Sequence, residues 1–372
     1  MTSQQSSAPG RNKHNAINTS RRTLLTSLVG LGALRHRTTR AQDMLPFPAR
    51  TWSAIELEAA GLSSVQLEAA ADYVAAFMPD VTAMIVSRYN GLAFERYFGT
   101  EYGAGDPINI RSITKCVTGT LVGVAIGEGL LALDTTIGDI IPDLIPANAD
   151  PRTATITVQQ VLTMSAGWQW DIHADWQTLL ASDNWTELTL SLPVVYEPGT
   201  FYAYNTGGSH LLGVIVERAV GEDLAKYADR RLWEPMHIPR PTWMRSPERV
   251  VSGGSGLELA PLDVARFGLL SLRNGQWDDH SLLSEDWFPE ATRFHLPGDT
   301  TGYAGYGYQW WVIDYENGFH AYFGLGFGSN YLYVVPALDL VVVVLKGFVD
   351  PPAQVSIVRP FIEEWILPAV IG

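Results

Sequence analysis

Apolar positions recur at helical spacing over residues 56–78, a stretch rich in Leu, Ala, Glu and Val, and this predicts a helix. Two β-rich runs follow, Val81–Ser87 and Leu92–Phe98, separated by Tyr89-Asn90-Gly91. Asn-Gly between such runs predicts a hairpin, because both residues tolerate the positive φ of a tight turn. From about Ser112 to Glu128 the chain is apolar nearly all round (Val117, Leu121, Val122, Val124, Ala125, Ile126), the pattern of a buried helix. Between 130 and 260, Pro, Asp and Gly interrupt several short helical patterns, one of them running from Leu211 to Val220 and stopping at Gly221. A further helix is expected from Pro261 to about Leu272, then strands at Asn330–Val335 and Leu338–Leu345, then an amphipathic helix over about 353–366. Strands at both ends with helices between them predict an α+β fold, an antiparallel sheet flanked by helices. Residues 42–130 plus 262–372 would form the sheet domain and 131–261 an inserted, mostly helical lobe.

Composition sharpens this picture. The chain has 372 residues and is 47% apolar, enough to bury a core, which excludes a disordered chain. The formal net charge of -14 is unevenly spread. Residues 1–41 hold seven basic side chains and no acidic one, leaving 18 Lys+Arg against 39 Asp+Glu, a net of -21, in the remainder. A body this acidic repels phosphate backbones and argues against nucleic-acid binding. Within the basic segment, Ser20-Arg21-Arg22-Thr23 leads into an apolar run, Leu24–Leu34, and the segment ends at the small residue Ala41. Paired arginines before a modest apolar stretch resemble a twin-arginine export signal, so residues 1–41 are expected to be an export leader cleaved after Ala41, with the mature chain periplasmic or secreted. The run is too short to span a bilayer, and no later stretch reaches 18 apolar residues, so no membrane span is expected in the mature chain. Cys116 is the single cysteine, which excludes an intrachain disulfide and a Cys-rich zinc site.

Three segments carry candidate chemistry. Ser112-Ile113-Thr114-Lys115 places a hydroxyl and an amine one helical turn apart at the start of the buried helix. Serine needs a proton acceptor before it attacks, and a desolvated lysine can be one where arginine cannot. A helix N-terminus adds a positive field and free N–H groups where an oxyanion forms. Second, Tyr204-Asn205-Thr206-Gly207 precedes a helix, and a phenol beside a charged Lys115 is expected to ionise more easily and to accept the serine proton. Third, Gly324-Leu325-Gly326-Phe327-Gly328-Ser329-Asn330 leads into a strand whose edge offers a second oxyanion donor. His210 and Cys116 are read as packing residues. No Gly-x-Ser-x-Gly elbow, Walker loop or His-Glu-x-x-His is present.

Together these segments resemble the serine hydrolases related to β-lactamases: class C β-lactamases, D-alanyl-D-alanine peptidases, esterases and 6-aminohexanoate-dimer hydrolases. The resemblance spans about 50–370. It also takes in Val161-Leu162-Thr163-Met164-Ser165-Ala166-Gly167, Pro198-Gly199-Thr200, Gly253-Gly254-Ser255-Gly256-Leu257, Pro261–Gly268 and Tyr308-Gln309-Trp310-Trp311. It implies a β-lactamase/penicillin-binding-protein-like fold and no metal or organic cofactor. It also implies Ser112 as nucleophile, Lys115 as its activating partner, Tyr204 as general base, and the N–H groups of Ser112 and Ser329 as the oxyanion hole. Asn205, Gly326, Phe327, Gly328 and Trp170 are the expected substrate contacts, with Trp168, Trp170, Trp176 and Trp185 forming an aromatic wall. The chain departs from the family in two places. Asn205 follows Tyr204 directly instead of standing two residues on, and Gly326-Phe327-Gly328 stands where relatives carry Lys-Thr-Gly or His-x-Gly. Without that cation the expected substrate is a small ester or amide. The alternatives are a β-lactamase or D,D-carboxypeptidase, and a non-catalytic ligand binder on the same scaffold.

Overall fold

The computed structural model describes residues 44–171, 174–298, 304–316, 318–347 and 358–371. The basic segment 1–41, and with it the expected export leader, lies outside them.

The first helix, α1 (Ser64–Phe77), starts later than its apolar pattern suggests. Ser63 caps it, its hydroxyl accepting from the Gln66 N–H at 3.2 Å, so residues 56–62 stay outside the helix, 57–61 as turns. Strands β1 (Val81–Arg88) and β2 (Gly91–Tyr97) form the expected hairpin, but the turn sits one residue earlier. Tyr89 (φ 54) and Asn90 (φ 63) are its two left-handed residues, and Gly91 already pairs with Arg88. Glycine is required at 91 by close approach, since a Cβ there would lie 2.7 Å from Ile55 and 2.9 Å from Leu45.

Among the described residues six further strands complete one antiparallel sheet: β3 (Leu296–Pro297), β4 (Gly305–Tyr306), β5 (Trp311–Asp314), β6 (His320–Gly326), β7 (Asn330–Val335) and β8 (Leu340–Lys346). Their order is β2-β1-β8-β7-β6-β5-β4-β3, so the last strand closes against the first. Val341 to Val344 on β8 face two buried layers and are β-branched throughout, as a central strand covered on both faces requires. On one face lie α1 and the C-terminal helical turns from Val358 to Ile366, the described part of the expected last helix. On the other lie α2 (Thr114–Gly127), α3 (Thr206–Val220) and α4 (Pro261–Leu272). Buried residues of the segment 131–261 and of the sheet join in one continuous apolar cluster on that face. No helix among the described residues is long and apolar enough to cross a membrane. The observed architecture is the α+β arrangement read from the sequence.

Candidate active site

Ser112 is set by a sharp change of direction. The chain runs as a short strand, Ile108–Asn109, paired with Glu258–Leu259, and then turns through a single 3-10 turn, Arg111–Ile113, into α2. Arg111 takes the left-handed region at φ 55, a conformation that costs a non-glycine residue roughly 1–2 kcal/mol. Asn109 holds this turn by accepting the Arg111 N–H at 2.9 Å. Ser112 therefore stands at the mouth of α2, where its N–H precedes any intrahelical acceptor.

Lys115 lies in the first turn of α2 and is almost wholly buried, at 1% exposure. Its amine donates to Ser112 Oγ at 3.1 Å, Thr206 Oγ1 at 3.2 Å and the Gly254 carbonyl at 2.6 Å. Burial lowers its pKa to about 7, partly offset by the neighbouring Cys116 thiol. Gly254 is an acceptor only, so it must receive a proton from the amine. The Ser112 and Thr206 hydroxyls can give or receive. A neutral Lys115 thus keeps Gly254 and Thr206 as acceptors and turns its lone pair to the Ser112 hydroxyl.

Tyr204 is brought in by the segment before α3. The Ala203 N–H donates to the Met164 carbonyl at 2.8 Å and the Asn205 N–H reaches Met164 Sδ at 3.2 Å, which ties this stretch to Val161–Gly167. The Gly199 N–H donates to the Ser165 carbonyl at 2.7 Å, so three of the sequence segments form one clamp. Burial drives the phenol pKa well up, while a hydrogen bond with the Ser112 hydroxyl draws it partly back. The expected easily ionised phenol is not what the fold builds. Lys115 Nζ stands over the face of the Tyr204 ring, 5.1 Å from its centroid, and its hydrogen bonds go to other oxygens. The phenol is therefore protonated at neutral pH, and Lys115 is the group poised near neutrality.

The glycine-rich segment corrects a second expectation. The Ser329 N–H donates to the Gly326 carbonyl at 3.0 Å, closing the β6–β7 hairpin, and is not available to an oxyanion. Gly326 and Gly324 act as spacers. A Cβ on Gly326 would lie 2.6 Å from the Ile110 carbonyl and 3.1 Å from Arg111 Cβ; one on Gly324 would lie 3.0 Å from Cys116 Sγ. Only glycine lets β6 lie flat against the turn that presents Ser112. Gly328 (φ 82) meets nothing within 4 Å, and Phe327 is 67% exposed at the hairpin tip. Pairing of β6 with β5 ends at Phe323–Trp311, whereas β6 continues to Gly326. The Gly326 carbonyl points into the hairpin, so strand alternation turns the Leu325 N–H to the other edge, where β5 has ended.

Asn205 and two of the four tryptophans have places in the framework. Asn205 is the N-cap of α3, its side-chain oxygen accepting the Gly208 N–H at 2.9 Å. Trp168 and Trp185 are core residues, the latter packed edge-on against His210. Trp170 is half-buried. The aromatic group beside the site is a different one. Trp311 stacks on Tyr204 with centroids 5.8 Å apart, and Tyr306 stands perpendicular to both. His210 and Cys116 are buried, as read, with His210 Nε2 bonded to Thr186 Oγ1 at 3.2 Å and the Cys116 thiol donating to the Gln309 carbonyl at 3.2 Å. Thr206, Gly254, Gln309, Tyr306 and Trp311 join the site without a signal of their own in the sequence, although most lie within or next to segments that carry the resemblance. Gln309 links three elements, accepting from Ser209 at 2.7 Å and donating to the Leu162 carbonyl at 2.9 Å.

The family profile described as Beta-lactamase matches residues 71–356. The chain belongs to the Beta-lactamase family. Similarity to individual proteins is low. The 6-aminohexanoate-dimer hydrolase of Paenarthrobacter ureafaciens is 23% identical over 282 residues, 69% of this chain and 70% of that protein. The FimD protein of Dichelobacter nodosus serogroup D is 31% identical over 155 residues, and the match spans only 38% of each chain. The octameric penicillin-binding protein homologue from Pyrococcus abyssi shares the fold, with a TM-score of 0.65 over 82% of this chain and 77% of that one at 19% identity.

Proposed function

We propose that this Beta-lactamase family chain is a serine hydrolase that cleaves small carboxylic esters or amides through an acyl-enzyme on Ser112. The observation that carries the reading is the placement of a fully buried Lys115 amine 3.1 Å from the Ser112 hydroxyl, at a helix mouth bordered by the open edge of β6. Neutral Lys115 takes the proton of Ser112 as Oγ bonds to the substrate carbonyl carbon. The carbonyl electron pair moves to oxygen, where the N–H groups of Ser112 and Leu325 receive it. Collapse breaks the C–O or C–N bond, and the proton on Lys115 is returned to the departing oxygen or nitrogen on the Tyr204 side of the site. A water then attacks the acyl carbon, Lys115 takes its proton, and cleavage of the ester to Ser112 returns that proton to Oγ and frees the acid. Every atom and proton is accounted for by these side chains and water.

The segment Gly324–Gly328 holds no basic residue to meet a substrate carboxylate, which favours neutral esters and linear amides over penicillins and peptidoglycan. Export to the periplasm or medium is part of the proposal and rests on Arg21-Arg22 and the apolar run after them. Intact-mass analysis after treatment with a small fluorophosphonate tests the core of the reading. One adduct on the wild type, mapped to Ser112 and missing from Ser112→Ala, is expected. No adduct overturns it in favour of a ligand binder, and an adduct that persists in Ser112→Ala overturns the assignment of Ser112 as nucleophile.

A further inference from the structure

Four aromatic rings crowd the side of the site occupied by Tyr204. Besides the stacked Tyr204–Trp311 pair, Tyr306 meets Trp311 at 5.2 Å and 90° and Tyr204 at 6.2 Å and 87°. Tyr202 meets Tyr306 at 5.2 Å and Trp311 at 6.1 Å. These separations lie in the range of rings already in contact. The group is thus a continuous wall, with no gap between rings in which a cation could be caged. Tyr306 is buried behind it, at 1% exposure, while Tyr202, Tyr204 and Trp311 are only half-buried. Large aromatic side chains normally bury their surface, so three adjoining rings that keep part of it open beside a reactive serine mark a contact surface.

Direction follows from where protons travel. The departing alcohol or amine must collect its proton from the Lys115–Tyr204 side, so whatever is attached to that oxygen or nitrogen extends past Tyr204. Trp311 stacks on Tyr204, and Tyr202 meets Trp311 in turn. Lys115, buried and committed to three oxygens, offers no ion-pairing surface to the body of the leaving group. We infer that the leaving group of the substrate is a flat aromatic alcohol or amine seated against Trp311 and Tyr202. This deepens the acyl-enzyme reading and rests on it. Recognition by ring contact places aromatic selectivity in the leaving group and leaves the acyl side of the substrate unselected by this wall.

Two ester series test the inference. Ethyl, benzyl and 2-naphthylmethyl acetates vary only the alcohol; ethyl acetate, butanoate and phenylacetate vary only the acyl group. In the wild type, kcat/KM is expected to rise about 10-fold or more from the ethyl to the 2-naphthylmethyl ester, the size of one well-made aromatic contact with its buried area. Trp311→Leu and Tyr202→Leu should each collapse that ratio through KM and leave the ranking of the acyl series unchanged. A merely structural role for these rings would lower every ester by one factor and preserve the ratio, and that result overturns the inference. So does a flat alcohol series in the wild type. Fluorophosphonate labelling of the same samples separates the two levels. Labelled Ser112 with a flat alcohol series removes the leaving-group assignment alone, whereas absence of labelling removes the acyl-enzyme reading beneath it.

Discussion

Replacing Gly326 by alanine adds one methyl group between β6 and the turn that carries Ser112. That carbon would stand 2.6 Å from the Ile110 carbonyl oxygen, 3.0 Å from Asn330 Cβ and 3.1 Å from Arg111 Cβ. A carbon–oxygen contact settles at about 3.3–3.6 Å, so the strand and the turn must separate by roughly 1 Å. Two of the three neighbours belong to the two residues just before Ser112, and one is main chain, which cannot rotate away. Overpacking of this kind costs about 1–3 kcal/mol, and a displacement of ~1 Å at reacting atoms lowers turnover about 100-fold. Gly328→Ala is the comparison. Its methyl meets nothing within 4 Å, but the residue sits at φ 82, so it loses about 1–2 kcal/mol of stability through backbone strain alone. Hydrolysis of 4-nitrophenyl acetate and thermal unfolding, measured on both variants, should show similar losses of stability. The loss of kcat/KM should be about 100-fold for Gly326→Ala and under about 3-fold for Gly328→Ala. Equal losses of activity in the two variants, or a fully active Gly326→Ala, would refute the view that these glycines set the approach of β6 to Ser112.

Asn205→Ala removes the cap of α3 and should cost about 1 kcal/mol in chemical denaturation, with Asn205→Ser retaining most of it. A KM effect larger than the stability effect would return Asn205 to the role of substrate contact. Lys115→Met removes the buried amine and should lower kcat/KM by about 100-fold or more without unfolding the protein. The folded pKa of Lys115 is depressed, so between about pH 7 and its ordinary value the unfolded chain binds the extra proton. Wild-type stability relative to Lys115→Met should therefore rise as pH increases from 6.5 to 9.5; urea titrations showing a constant difference would contradict the burial of that amine.

What the sequence made legible was what short spacing determines. Ser112 and Lys115 lie one turn apart, so their meeting follows from the helix alone, and the same holds for the hairpin of β1 and β2 and for α4. Ser329 shows the limit. Whether its N–H faces a substrate or closes a turn depends on hairpin register, and the pairing of Gly326 with Asn330 decides for the turn. Asn205 carries a local signal, an Asn just before a helix, and its side-chain oxygen serves there as the cap of α3. The aromatic residues divide for another reason. Trp168 and Trp185 look no different in sequence from Trp311, and only the end of β5 at Trp311 places that ring beside Tyr204. Tyr204 itself is recognisable through the family resemblance, but its protonation state is not. Burial raises its pKa, and the hydrogen bond with the Ser112 hydroxyl offsets that only in part.

The pH dependence of kcat/KM for a neutral ester reports the base that acts in the free enzyme. Neutral Lys115 as that base requires a rise through a midpoint near about 7 and a plateau above it, and Lys115→Met should abolish the midpoint. A rise that begins only above pH 10 in the wild type, the region where the Tyr204 phenol would ionise, or a profile with no midpoint between 6 and 9, would contradict the assignment of Lys115.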